Sequence, residues 1–483
     1  MAKDNKKLKC RQQGIIIIFS PPTSTVKAFG QHIIDFSNLI WGTPLLVLLL
    51  GGGLFFLIYS RLIPFRYIRH AIQILTGKYD DPNEPGQINH YQALSTALSG
   101  TVGMGNVSGV AVAITMGGPG AIFWMWISAL LGVATKFFTC SLAVMYRGTD
   151  SEGELQGGPM YFITEGLGKN WKPLAVFFSL AGMVGVSPMF QSNQLTQVIG
   201  DVILSPNGIQ TGFYSRLITG LIITLVVSLV IFGGIKRIGK VAGNLVPLMI
   251  ILYVIAVLFI IFSQPDQIIP GFRTIFEDAF SGQAVLGGAL GSLIVEGVRR
   301  AAFSNEAGIG TAPMAHGAAK TSEPIREGLV AMLGPMIDTL LICTMTALAI
   351  IMTGVWMDPG SDGISVTVEA FEQGMPGIGP YILILCVTVF AVTSLFAFPY
   401  YGAKCFSFVF GAKYKIIYNI LYVISISMGA VGTLRVVISI FDSAYALMAF
   451  PTMLATLLLS PRVIRETKKY IGKYKAQKSS KSN

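Results

Sequence analysis

Charge is what this sequence has little of. Asp, Glu, Lys and Arg make up 12% of its 483 residues, against roughly 25% in soluble domains, while 52% are hydrophobic and mean hydropathy is +0.64. A water-soluble enzyme is excluded on that ground. Cysteine is sparse too: Cys10, Cys140, Cys343, Cys386 and Cys405 form no Cys-x-x-Cys and fall mostly inside apolar stretches. They read as small buried hydrophobes, not as a disulfide framework or a zinc site. The histidines, His32, His70, His90 and His316, lie far apart near predicted helix ends or loops. That leaves no His-x-x-x-His pair and no plausible catalytic triad, so no enzyme activity and no bound cofactor are expected. A Gly-x-x-x-x-Gly-Lys-Ser/Thr phosphate loop is absent, which excludes direct ATP coupling within this chain. Repeated selectivity-filter segments are absent as well, which counts against a channel. The net charge of +11 is scattered through short connections, so it speaks of membrane orientation and not of nucleic-acid binding.

What is present is a series of long apolar runs. A helix needs about 20 apolar residues to cross a bilayer, and by that ruler about eleven spans are expected, near 39–60, 92–114, 119–145, 173–199, 215–235, 241–263, 283–312, 328–354, 379–403, 416–434 and 440–460. The runs are continuous and not alternating, so the fold class is all-α, a polytopic membrane protein, and not a barrel. Lys and Arg gather in alternate connections and in the tail after Ser460, whereas the loop from Val355 to Ile378 holds four acids and no base. The positive-inside rule then places the C-terminus in the cytoplasm and the chain in the cell membrane. Eleven spans put the N-terminus outside, where residues 1–27 hold six bases, a conflict with no physical account from the sequence. Residues 1–34 are read as an N-terminal extension, 35–465 as the membrane domain and 466–483 as a basic tail.

Glycine-rich stretches inside spans mark where helices are expected to break, and non-helical backbone at membrane depth is tolerated only where it lines a cavity. The second span reads Ser99-Gly100-Thr101-Val102-Gly103-Met104-Gly105-Asn106-Val107-Ser108-Gly109. Freed amides there can bind a carboxylate, and freed carbonyls with the oxygens of Ser99, Thr101 and Asn106 can ligate a hard monovalent cation. The seventh span carries Gly287-Gly288-Ala289-Leu290-Gly291-Ser292, a second expected break. Five spans separate the two, the spacing of two inverted five-helix repeats, about 92–263 and 283–460, preceded by one accessory helix. Gln191, Asn193 and Gln194 in the fourth span and Thr393-Ser394 in the ninth supply further polar groups at depth, although mid-helix hydroxyls often bond only their own preceding turn. Glu296, Arg299, Arg300 and Glu306 read as a charge cluster on the cytoplasmic side, while Lys136 and Asp338 are single intramembrane charges whose partners the sequence does not give.

Several motifs are family-specific. Gly117-Gly118-Pro119-Gly120-Ala121-Ile122-Phe123-Trp124-Met125-Trp126 followed by Ala134-Thr135-Lys136-Phe137 resembles the signature of the alanine or glycine:cation symporter family. So do Gly100-Thr101-Val102-Gly103-x-Gly105-Asn106, Gly157-Gly158-Pro159-Met160-Tyr161, Phe303-Ser304-Asn305-Glu306-Ala307-Gly308 and Gly334-Pro335-x-x-Asp338-Thr339, in consistent order over roughly residues 35–465. The resemblance implies a leucine-transporter-like fold and cation-coupled uptake of alanine or glycine, with sodium, or in some members protons, as the coupling ion. By the same resemblance the carbonyls of Ser99 and Val102 with Thr393 and Ser394 would form the sodium site. Thr101, Gly103, Gly105, Asn106, Gln191, Gly287, Gly288, Gly291, Ser292 and Phe398 would face the amino acid. The chain departs from the family where members usually read Gly-Trp-Ser-Tyr-Tyr-Gly: here stand Ala397-Phe398-Pro399-Tyr400-Tyr401-Gly402. A phenyl in place of an indole leaves volume and removes an N–H donor, so serine or glutamine is an expected additional substrate. A proton-coupled carrier titrating at Asp338 or Glu306, and a channel or non-transporting nutrient sensor, are the alternative expectations.

Overall fold

The computed structural model describes residues 24–231, 234–280, 289–358 and 360–480. Helix occupies each of the expected apolar runs, and among the described residues the only paired strands are the short hairpin Gly148–Thr149 with Leu155–Gln156. Among the described residues, eight helices are long and apolar enough to cross a membrane, or up to nine if the bent pair Gly30–Ile40 and Thr43–Tyr59, meeting at 49°, is one span. The fifth run holds the shorter apolar helix Phe213–Leu229, and the seventh is divided into Ala289–Asn305 and Thr311–His316. The 34/35 boundary expected from sequence falls inside the helix Ser24–Ile40, which packs on the last helix: a Cβ on Gly30 would sit 3.1 Å from Val436. The last helix is continuous from Leu434 to Ser480, well past the expected end of its span.

Proline inside a helix removes one hydrogen bond and strands the carbonyl four residues earlier, which has no water to turn to at membrane depth. Three of these helices answer in the same way. Pro247 frees the carbonyl of Gly243, which accepts from the Tyr91 hydroxyl at 2.7 Å. Pro399 frees that of Leu395, which accepts from Tyr422 at 3.1 Å. Pro461 frees that of Leu457, which accepts from Ser460 at 2.8 Å. The two tyrosine bonds join different spans, so each kink also fixes where a neighbouring helix sits.

The second span begins with a capping box: Asn89 accepts from the Gln92 amide at 2.8 Å, and the Gln92 side chain accepts from the Asn89 amide at 3.2 Å. The end of the bundle that carries the C-terminal tail is called the tail end below, and the opposite one the far end. Each end has a cavity. The far one, about 680 Å³, is lined by Asn38, Val112, Arg299, Arg300 and Asp442; the tail-end one, about 660 Å³, by Gln87, Tyr161, Tyr400 and Lys404.

Candidate functional site

Between the two cavities the second span comes apart where its glycines permit. Helix His90–Thr101 ends, Val102 is extended (φ −74°, ψ 93°), Gly103 follows at φ −160°, and helix resumes at Met104–Gly117. Asn106 reaches back across the gap, its Oδ1 accepting from the Gly103 amide at 2.9 Å. Span nine closes on the break: the Ser394 hydroxyl donates to the Ser99 carbonyl at 2.8 Å, and a Cβ at Gly103 would lie 2.6 Å from the Ser394 oxygen. Glycine is required there by contact, not by conformation. Ser99, Val102 and Ser394 are therefore together as expected, whereas the Thr393 hydroxyl turns to its own helix, to the carbonyls of Val389 at 2.9 Å and Phe390 at 3.0 Å.

The seventh span is interrupted among its described residues. Gly287 and Gly288, where a break is expected from sequence, lie outside the described residues, while Gly291 and Ser292 belong to the helix Ala289–Asn305. The interruption comes later, where Glu306, Gly308 and Gly310 all have positive φ (55°, 86° and 109°), before helix resumes at Thr311. A left-handed glutamate costs about 1–3 kcal/mol and persists only where the surroundings impose it. Here the Glu306 carboxylate accepts from Tyr445 at 2.7 Å and from the Thr311 hydroxyl, fully buried. The expectation that Glu306 belongs to a cytoplasmic charge cluster is thus overturned. Glu296, Arg299 and Arg300 are also displaced from that expectation: they meet Asp442 near the N-terminal end of the last helix, at the far end. Arg300 pairs with Glu296 (2.8 Å) and Asp442, and Arg299 lies 3.3 Å from Asp442. Arg299 also donates to the Ser37 carbonyl at 3.0 Å, tying in the first helix.

Asp338 joins the two breaks. Its carboxylate accepts from Asn106 Nδ2 at 2.6 Å, from the Ser304 hydroxyl and from Thr339 at 2.9 Å, and Asn305 donates to Thr339 at 3.0 Å. A buried carboxylate is tolerable when its oxygens are this fully bonded. Asn106 therefore has a structural duty besides any ligand role, since it caps one break and binds the linker between both. Lys136, the other intramembrane charge, is buried and makes no ion pair among the described residues, and a Cβ on Gly334 would sit 3.1 Å from its ammonium.

Aromatic rings wall this centre. Phe303 packs edge-on against Phe190 at 4.7 Å and Phe441 at 5.3 Å, and Phe441 lies 5.0 Å from Tyr445 and 6.2 Å from Phe398. Glycines of the second span face them: a Cβ on Gly105 would be 3.2 Å from Phe303, and one on Gly100 would be 3.3 Å from Phe398. Thr101 spends its hydroxyl on the Ala97 carbonyl at 3.2 Å. Gln191 is buried on the helix that carries Phe190, and its Oε1 has no partner. Ser108 and the Ile364 amide both donate to Gln194, and Asn193 donates to the carbonyls of Gly429 (3.0 Å) and Gly432 (2.8 Å), so these two polar residues hold helices together.

Sequence reasoning missed one cluster outright. His90 and His316, judged too distant to cooperate, both point Nδ1 at the carboxylate of Glu327, His316 at 2.6 Å, with all three side chains fully buried. The available signal was positional: His90 opens the helix leading into the first break, and His316 closes the helix leaving the second.

Two helices interrupted at depth, linked through polar groups and wedged between vestibules at opposite ends, define a secondary carrier. The solved structure of MhsT in complex with L-phenylalanine, a leucine-transporter-fold protein, superimposes with TM-score 0.56 over 79% of this chain and 98% of that one, at 13% identity. The chain belongs to the sodium:alanine symporter family, whose profile matches residues 26–483. Among relatives, the sodium/alanine symporter AgcS of Methanococcus maripaludis is 40% identical over 442 residues, 90% of this chain and 95% of that one. The probable sodium/glutamine symporter GlnT of Bacillus subtilis is 34% identical over 450 residues, 93% and 92%. The protein is therefore a multi-pass membrane transporter of an amino-acid:cation symporter family.

Proposed function

We propose that the protein couples inward sodium flow to uptake of a small neutral amino acid by alternating access. The observation that carries this reading is the meeting of the broken second span with span nine, where the Ser394 hydroxyl rests on the Ser99 carbonyl beside the extended Val102. Carbonyls released from a helix and an adjacent hydroxyl are the hard oxygens a sodium ion takes. The ligand set is Ser99, Val102 and Ser394, joined by Thr393 once its hydroxyl leaves its own helix. Because those carbonyls belong to the break, an ion bound there draws span nine and the broken helix together and ties the ion's occupancy to the carrier's shape.

The amino acid lies beside the break, its carboxylate toward the amides of Gly103 to Gly105 at the start of the resumed helix. Its side chain meets Phe398, Phe303 and the amide of Gln191, and its ammonium meets carbonyls of the Asn305–Gly310 stretch. Phe398 in place of the usual tryptophan supports a range reaching serine or glutamine. The tail end faces the cytoplasm on the distribution of Lys and Arg.

The buried carboxylates Glu306 and Asp338 support a second reading, proton coupling. One experiment separates them: uptake of labelled alanine, glycine, serine and glutamine into proteoliposomes under an imposed sodium gradient, a proton gradient or neither. Accumulation under sodium alone is the expected result. Accumulation under the proton gradient alone selects the second reading, and downhill leakage without counterflow removes both in favour of a channel.

A further inference from the structure

The tail-side halves of the two broken helices are laced into one body. Ile88, just before the first, bridges Ala319, just after the second; the Gln87 amide donates to Ala318 at 2.8 Å and the Lys320 amide to Ile88 at 2.6 Å. Arg147 bonds the carbonyls of Gly317 (2.8 Å), Thr321 (2.9 Å), Pro85 (3.2 Å) and Ala319 from both segments at once. Gly86 is pressed so closely there that a Cβ would lie 2.3 Å from the Ala319 oxygen. Neither half can swing without the other. Their hinges are the breaks themselves, at Val102–Gly103 and at Glu306–Gly310.

Glu327 stands on the other side of this joint. It lies in the first turn of the unbroken eighth span, and its neighbour Gly328 is packed so tightly against the third that a Cβ there would be 2.1 Å from Ser141 and 2.6 Å from the Phe137 carbonyl. Its two oxygens take Nδ1–H of His90 and of His316, one from each half-helix. Each carboxylate oxygen takes one imidazole N–H, while the imidazoles are only half satisfied, because among the described residues neither buried Nε2 atom has a partner. Water reaching those atoms on release would offset part of what the two bonds contribute, so this joint can be both made and broken.

We propose that Glu327 is a positioning residue that latches the paired half-helices shut at the tail end, closing the path between the central site and the vestibule beyond it. The inference rests on the carrier reading above. Thr96 supplies the reporter: it lies on the tail-side half of the second span, fully buried, with a hydroxyl that has no partner, so Thr96→Cys sacrifices no hydrogen bond. The rate at which a small thiol reagent labels Thr96→Cys is measured in proteoliposomes without amino acid or gradient, with the same protein lacking that cysteine as blank.

Glu327→Ala should raise the labelling rate by about tenfold or more by releasing the closed state. Glu327→Gln should stay within about threefold of the parent, since an amide can accept from one imidazole and donate to the other's Nδ1 after a tautomer change. His316→Gln, at the opposite partner, should repeat the alanine effect in part and serves where Glu327→Ala fails to fold. In uptake assays the folded alanine variant should lose maximal rate more than apparent affinity. Unchanged labelling in Glu327→Ala, or in His316→Gln where the former does not fold, overturns the latch. Labelling requires neither the substrate nor the ion to be correctly named, so a wrong substrate or ion would leave the labelling result standing.

Discussion

The two breaks are built by opposite means. In the second span two residues leave the helix, their backbone is extended, and the gap is stabilised by a neutral amide, Asn106, and by the hydroxyl of Ser394. In the seventh the chain runs through three positive-φ residues and puts the carboxyl group of Glu306 at the bend. The first break offers backbone carbonyls, which suit a cation, and backbone amides, which suit an anion. The second offers a carboxyl group already bonded to Tyr445 and Thr311, so its acid is part of the frame as much as of the site. One break is thus held by Asn106 and Ser394 and the other by Tyr445 and Thr311.

Removing what the breaks share should have the largest effect. Asp338→Ala strands the donors of Asn106, Ser304 and Thr339, each at about 1–3 kcal/mol when buried. Uptake should be abolished and the thermal midpoint should fall by several degrees, with Asp338→Asn recovering part of the stability; an Asp338→Ala protein that still transports would show that the breaks do not depend on their link. Next comes the first break alone. Gly103→Ala drives a methyl into Ser394 and should remove sodium-dependent uptake, and the double variant with Ser394→Ala should recover expression but not the sodium response. Recovery of both would mean that Ser394 only packs.

Phe398→Trp should sharpen the comparison at the aromatic wall. With Gly100 against the ring, the added volume should shift the ratio of alanine to glutamine uptake toward alanine by about tenfold, within the 1–3 kcal/mol that a small change in an apolar pocket provides. An unchanged ratio separates Phe398 from selectivity. The smallest effect lies away from both breaks. His70 sits under the tail helix, its Nε2 2.7 Å from the Tyr470 hydroxyl, and burial pushes its imidazole below the usual value near 6.5. The unfolded chain therefore takes up this proton first, so stability should decline as pH falls through about 6.5, by no more than about 1.4 kcal/mol per pH unit for one group. His70→Phe should flatten the decline in thermal midpoint between pH 7.5 and 5.5, while leaving sodium-dependent uptake intact.

Much of this architecture was legible in the linear pattern. Apolar runs gave the helices because a bilayer-length helix is a local property, and the glycine cluster from Gly100 to Gly109 gave the first break because backbone freedom is local too. The second break was not found by the same signal. That bend lies at Glu306 to Gly310, where Tyr445, Thr311, Phe178 and Thr452 converge to impose it. Asp442 was unremarkable in sequence, yet it decides to which end Arg299 and Arg300 belong.

The sequence by itself determined that this is a polytopic helical membrane protein, the kind of ion-coupled carrier it resembles, and where its second span opens. These follow from hydropathy, from short motifs and from residues acting on their immediate neighbours. Only the tertiary structure decided that the seventh span opens at Glu306 to Gly310, that Asp338 joins the two openings, and that His90, His316 and Glu327 meet. Each of those depends on side chains from helices far apart in the chain, and such a meeting is fixed by packing, which no local pattern encodes.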